Sequence, residues 1–349
     1  MNNPTRKRIL LTRTDRLGDF VLTTPAIKAV RDAYFDAYIA MIVTPYTKKL
    51  AEGNPYIDEV MVYDKYGKEK SLLSSLRFAL TLRKKEFDRA IIFHPTNRMH
   101  IITYIANIPR RIGYDKKCGF LLTDRIKNLK SLGKKHEKDY TLEMLKALGI
   151  ESVEKELFVP VTKEAEDVIN SLLKSHNIMK KDKLVVIHPG ASCVSKIWPS
   201  ERFGKLADKL IDEKHVKIIV VGGSGKRDLF CVDSVKKFML NEAIFLKGSL
   251  NTIELAALLK RATLFISNDS GPVHIATAVN TPVIDIFGRN QPGLSPTVWG
   301  PLGLKDVVLH KDVGCKGICL AHNCNKTFAC LRAISVDEVY SVVDSMKLL

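Results

Sequence analysis

The feature that most constrains this chain is an alternation, met twice, of short apolar runs with stretches of helical spacing. In the first half the runs are Lys7 to Arg13, Tyr38 to Thr44, Glu59 to Tyr63 and Arg89 to His94. Helical patterns at Asp19 to Tyr34, Tyr46 to Ala51, Leu72 to Lys84 and His136 to Leu148 lie between or after them. A polar, lysine-rich stretch from Glu151 to Lys183 with one amphipathic helix interrupts the pattern, which then restarts. The second set of runs is Lys183 to His188, Val216 to Val221, Ala243 to Leu246, Leu264 to Ser267 and Pro282 to Phe287, with helices fitting between them. Strands and helices of these lengths in alternation predict β-α-β units and parallel sheets, hence an α/β fold. With 349 residues and roughly 150 per domain, the expected organisation is two doubly wound domains, 1–165 and 183–334. A last helix at 335–349 is expected to pack back on the first domain.

Lys and Arg number 55 against 38 Asp and Glu, a formal charge of +17. Such a surplus favours polyanionic partners: nucleic acid, phosphorylated lipid headgroups or nucleotide substrates. No run approaches the ~18 apolar residues of a membrane span, and Met1 to Arg13 lacks the apolar region of a signal peptide, so the sequence reads as cytoplasmic. Its seven cysteines are then expected as thiols rather than disulfides. Four of them, Cys315, Cys319, Cys324 and Cys330, fall in one short segment whose spacing could surround one structural Zn or Fe, or be free thiols in a compact loop.

In open parallel sheets ligands bind beyond the carboxyl ends of the strands, so the residues that follow each strand are the informative ones. After the first comes Thr12-Arg13-Thr14-Asp15-Arg16-Leu17-Gly18-Asp19, then Thr24-Pro25-Ala26. Asp19 is either a base or the cap of the following helix, which Asp does well. In the second half His188 runs into Pro189-Gly190-Ala191-Ser192 and Lys196-Ile197-Trp198-Pro199, and later Asn268-Asp269-Ser270-Gly271-Pro272-Val273-His274 opens a helix. Glycine permits close backbone approach, lysine is a point charge and a helix N-terminus offers free amides, so together these suit a nucleotide diphosphate. Taken singly each has a plainer reading: His188 and His274 as core histidines, Asp269 as an N-cap. Walker, GxGxxG and Asp-x-Asp patterns are missing, which weakens kinase-type, ordinary dinucleotide and metal-clamped diphosphate readings.

These three segments, in their order and spacing, resemble the lipopolysaccharide heptosyltransferase family, glycosyltransferase family 9. The resemblance implies a GT-B architecture of two Rossmann-like domains, with acceptor on the first and ADP-heptose or a related nucleotide sugar on the second. It implies inversion without a catalytic metal or any other required cofactor. It makes Asp19 the general base and Lys196 the catalytic contact to phosphate, with Gly190, Ser192, Asp269, Ser270, Gly271 and His274 around the donor. Where the family often carries a hydroxyl, this chain has Ala191. Arg13, Arg16 and Thr24 are candidates for the acceptor, a phosphorylated lipid A/Kdo or inner-core sugar met at the membrane surface. Cysteines in the C-terminal region also resemble the metal finger of a branch that modifies autotransporter proteins, so a protein acceptor stays open. A basic nucleic-acid-binding protein is the competitor from another class, without an RNA-binding motif or interleaved aromatics to support it.

Overall fold

The computed structural model describes residues 6–151, 156–315 and 324–349. The chain divides into two compact units, Met1–Ser131 with Lys135–Phe158, and Leu132–Lys134 with Val159–Leu349.

The first unit is built on one sheet of six strands: β1 (Arg8–Arg13), β2 (Tyr38–Val43), β3 (Glu59–Val62), β4 (Arg89–Ile92), β5 (Arg110–Tyr114) and β6 (Asp124–Ile126). All are parallel, in the order β3-β2-β1-β4-β5-β6. Ile9, Leu10 and Leu11 of β1 and Ile39 to Val43 of β2 are fully buried, the continuous apolar run of a strand covered on both faces. Helices α1 (Leu17–Val21) and α2 (Thr24–Ala33) follow β1, and α3 (Lys48–Glu52) follows β2. Helices α4 (Leu72–Arg83) and α5 (Asn97–Ile105) follow β3 and β4, and α6 (Glu137–Glu143) comes after the sheet. Ala79 and Leu82 of α4 with Met99 and Ile102 of α5 join Leu10, Ile42 and Ile92 in one core cluster.

The second unit repeats the plan with α7 (Lys163–Ser175), β7 (Leu184–His188), α8 (Ser200–Lys214), β8 (Lys217–Gly222), α9 (Lys226–Phe238) and β9 (Ile244–Lys247). It continues with α10 (Thr252–Arg261), β10 (Leu264–Asn268), α11 (Gly271–Ala278), β11 (Val283–Phe287), α12 (Pro296–Trp299), β12 (Val307–His310), α13 (Ala329–Arg332) and α14 (Val336–Ser345). Its parallel order, β12-β11-β10-β7-β8-β9, is the first sheet's order over again. Each sheet therefore reverses direction between its first and fourth strands, β1 and β4 or β7 and β10, and opens there a crevice for ligand.

Two boundaries differ from the sequence reading. Helix α7 belongs to the second unit: its buried stripe, Ala165, Ile169 and Leu173, packs on α10, and Lys260 pairs with Glu166 at 2.9 Å. Helix α14, expected on the first domain, is taken up by α8 of the second. Val339 and Val343 share a core with Trp198, Phe203, Leu206 and Leu210, and Lys209 pairs with Asp337 at 2.7 Å.

Candidate functional site

The loop after β1 holds a buried charge network. Arg13 ends β1 with its side chain only 2% exposed, and a guanidinium there has to be neutralised. It donates from Nε to Asp15 Oδ1 at 2.9 Å, and from Nη2 to Asp19 Oδ1 at 2.6 Å and to Glu137 Oε1 at 3.0 Å. Lys130 Nζ reaches the same Glu137 oxygen at 2.5 Å. Three carboxylates thus face two cations. Burial raises the pKa of Asp19 above that of an ordinary carboxyl, the Asp15 charge adds to the effect, and Arg13 pulls the other way. A carboxylate so held is more basic than one in water, while its hydrogen bond fixes its direction. His94, next along from β4 across the switch point, lies 4.0 Å from Asp15. Burial, then the Arg13 charge, lowers its pKa to about 4, so it is neutral at physiological pH.

Asp19 is not a helix cap. The N-cap of α1 is Arg16, Asp19 stands at the third helical position, and no side chain caps the helix. Its carboxylate is turned to Arg13 instead. The residues expected to bind acceptor divide. Arg16 is exposed, whereas Arg13 is buried against three carboxylates, with its Nη1 left without a hydrogen-bond partner among the described residues. Thr24 is buried, its hydroxyl donating to Val21 O at 2.7 Å and accepting from Phe158 N at 2.9 Å. It ties α2 to the end of the unit, with its one donor and one of its two acceptor positions taken.

In the second unit the switch point lies between β7 and β10, and Asn268 stitches its two sides. Its amide Nδ2 donates to Pro189 O at 2.7 Å and its Oδ1 accepts from Trp198 N at 2.9 Å. Trp198 is fully buried and donates from Nε1 to Ile334 O at 3.0 Å, so the segment carrying Lys196 is clamped at both ends. Lys196 Nζ meets Asp269 Oδ2 at 2.8 Å, and Arg289 Nη2 meets the same oxygen at 3.1 Å. Asp269 is therefore an ion-pair partner; the N-cap of α11 is Ser270. The Ser270 hydroxyl lies 2.9 Å from that of Ser267 and 3.2 Å from His188 Nδ1. His188 is buried, which lowers its pKa. Gly271 opens α11 and His274 is buried in its first turn.

The space beside Gly190 is already filled: a Cβ there would stand 2.2 Å from Asp228 Oδ1. Ser192 is exposed, and its carbonyl accepts from Arg227 Nη1 at 2.5 Å.

Sequence reasoning passed over Glu137, Lys130, His94, Arg289 and Asp285. Arg289 and His94 follow strands β11 and β4, where the rule about strand ends already pointed. Asp285 sits inside β11 among Val283, Ile284 and Ile286, fully buried, with neither carboxylate oxygen hydrogen-bonded. Burial pushes its pKa far up, with the Asp269 charge adding to the shift.

Of the clustered cysteines, Cys319 lies outside the described residues. Cys315 is exposed, and Cys324 and Cys330 are half-buried. The Cys330 thiol donates to Gly288 O at 2.6 Å and Cys324 Sγ accepts from Phe328 N at 3.4 Å. Among the described residues no three His, Cys, Asp or Glu side chains converge on a metal position, and none of the described helices is long and apolar enough to cross a membrane.

Comparison with known proteins matches residues 75–327 to the model of glycosyltransferase family 9 (heptosyltransferase). The chain is 29% identical over 286 residues to lipopolysaccharide heptosyltransferase 3 of Escherichia coli K12, covering 78% of this chain and 80% of that protein. A solved glycosyl transferase family 9 structure from Veillonella parvula superposes with a TM-score of 0.87 at 25% identity, over 97% of both chains. The Escherichia coli ADP-heptose lipopolysaccharide heptosyltransferase II shares the fold with a TM-score of 0.78 at 18% identity, over 97% of this chain and 98% of that one.

Proposed function

Because the chain belongs to glycosyltransferase family 9, the heptosyltransferases, we propose that it transfers a heptose from ADP-heptose to the inner core of lipopolysaccharide, with inversion and without a catalytic metal. The observation that carries this reading is the Asp19 carboxylate at the end of β1, half-buried, raised in pKa and held by Arg13. In the proposed step Asp19 takes the proton of an acceptor hydroxyl as the oxygen attacks the anomeric carbon. The bond to the nucleoside diphosphate breaks on the opposite side, and ADP departs with the electron pair. A positioned base of this kind contributes ~10²- to 10⁴-fold.

The departing diphosphate needs positive charge. Lys196 and Arg289 share one carboxylate, Asp269, and Asp285 is held towards its neutral acid, so one net positive charge is left over. The amides at the start of α11 add to it. The donor named for the Escherichia coli heptosyltransferase II is the nucleotide sugar assigned here. A lipid-linked acceptor places the enzyme in the cytoplasm, at a membrane surface.

The test is Asp19→Asn, since asparagine keeps an oxygen for Arg13 and no cap is at stake. With ADP-heptose and core-truncated lipopolysaccharide, turnover is expected to fall by ~10²-fold or more, with unchanged melting temperature and ADP affinity. Retention of most of the rate at saturating substrates would reject the assignment.

A further inference from the structure

We propose that the outward side of α4 is the surface by which this protein lies on an anionic lipid bilayer. The proposal deepens the reading of a lipid-linked acceptor given above and rests on it.

Helix α4 buries Ser75, Ala79 and Leu82. Its other side is not polar, as an ordinary surface helix would be. Leu72 is 82% exposed, Leu73 57%, Leu76 40% and Leu80 44%. At ~100° per residue these four leucines fall within ~100° of arc, one continuous apolar stripe turned to solvent. Tyr66, in the loop leading to the helix, is also 82% exposed.

The surroundings are basic. Residues 64–86 hold seven Lys and Arg against three acids, and Glu69 among the acids is buried. Lys85 is spent on Glu59 at 2.8 Å. Lys68, Lys70, Arg77, Arg83 and Lys84 are exposed and make no ion pair among the described residues. Leucines on one side with lysines and arginines beside them are the pattern of a helix that lies in the plane of a membrane interface. Twelve residues are too few to cross a bilayer, so α4 can lie on a membrane and cannot span one.

Charge selects this occupant over a second copy of the chain. Two such faces brought together would oppose cation to cation, which costs association. An anionic headgroup layer neutralises them, at ~1 unit of favourable energy in kcal/mol per basic residue near the surface, or about fivefold in affinity each.

The experiment is co-sedimentation of the full chain with vesicles of phosphatidylethanolamine and phosphatidylglycerol, against vesicles of phosphatidylcholine alone. The protein is expected in the pellet with the anionic vesicles, about a hundredfold less or lower still with phosphatidylcholine, and released by salt. The double variant Leu76→Ser with Leu80→Ser is expected to lose about tenfold in binding and Arg77→Glu with Lys84→Glu at least about 25-fold, with unchanged melting temperature because all four side chains are exposed. Equal binding by the variants, or by phosphatidylcholine, would overturn the proposal. So would a wild-type dimer in light scattering that Leu76→Ser with Leu80→Ser converts to monomer. Transfer to core oligosaccharide freed of its acyl chains separates the two readings. Vesicle binding lost by the variants with no transfer by any form leaves the surface standing and sinks the reading of the reaction. Transfer retained with no vesicle binding by the wild type does the reverse.

Discussion

Neutralising Asp15 tests whether Asp19 owes its basicity to its neighbours. Asp15 and Asp19 both bond to Arg13, at Nε and Nη2, and Asp15 is the main like charge raising the Asp19 pKa, second only to burial. Two unit charges roughly 6 Å apart in an effective dielectric of ~20 interact by ~2.8 kcal/mol, or about two pH units. Both side chains keep some exposure, 14% and 13%, so about one unit is the expected share. The sign follows directly. Asp19 must be ionised to act, activity rises with pH as it loses its proton, and removal of the Asp15 charge makes that loss easier. In Asp15→Asn the acid limb of kcat against pH should therefore move about one unit towards lower pH. The plateau should fall about threefold, because a base one unit weaker accepts the acceptor's proton less readily. The assay is initial-rate transfer at saturating donor and acceptor, with thermal unfolding followed in parallel. An acid limb that stays in place, or moves to higher pH, refutes the argument that Asp19 is the ionising base.

Two further outcomes are expected from the second unit. Asp285 binds its proton more tightly when folded than when unfolded, so between an ordinary carboxyl pKa of ~3.9 and its raised folded value it costs stability as pH rises, by up to ~1.4 kcal/mol per unit. Melting temperatures of Asp285→Asn should fall less than those of the wild type as pH is raised from about 5, and parallel curves would count against a protonated Asp285. Lys196→Ala and Arg289→Ala should each weaken ADP binding in calorimetry by about 10- to 150-fold, the loss of a charge-assisted hydrogen bond worth ~1.5 to 3 kcal/mol. Their effects should not add, because both cations answer to Asp269.

What could be read in advance depended on how local the physics was. β1, β7 and β10 are buried on both faces, so their apolar runs stood out, and the residues just past them led to Asp19, Lys196 and Asp269. β5 and β6 escaped because Arg110, Arg111 and Asp124 interrupt any apolar run, and their charges are satisfied side to side: Arg110 pairs with Asp124 at 2.8 Å. Thr24 shows the limit from the other side: its hydroxyl accepts from a backbone amide 134 residues away, which no spacing reveals. Glu137 is the same case, since its bond to Arg13 spans 124 residues and no spacing rule reaches that far. Asp285 was open to reading, because a carboxyl inside the buried run Val-Ile-Asp-Ile-Phe pays heavily for its place. That expense, set close to the two cations on Asp269, is what leaves the second unit its surplus positive charge. A carboxyl forced to stay neutral does not cancel Lys196 or Arg289, whereas an ionised one at the same position would bring the site to zero net charge and leave no surplus for the diphosphate proposed to bind there.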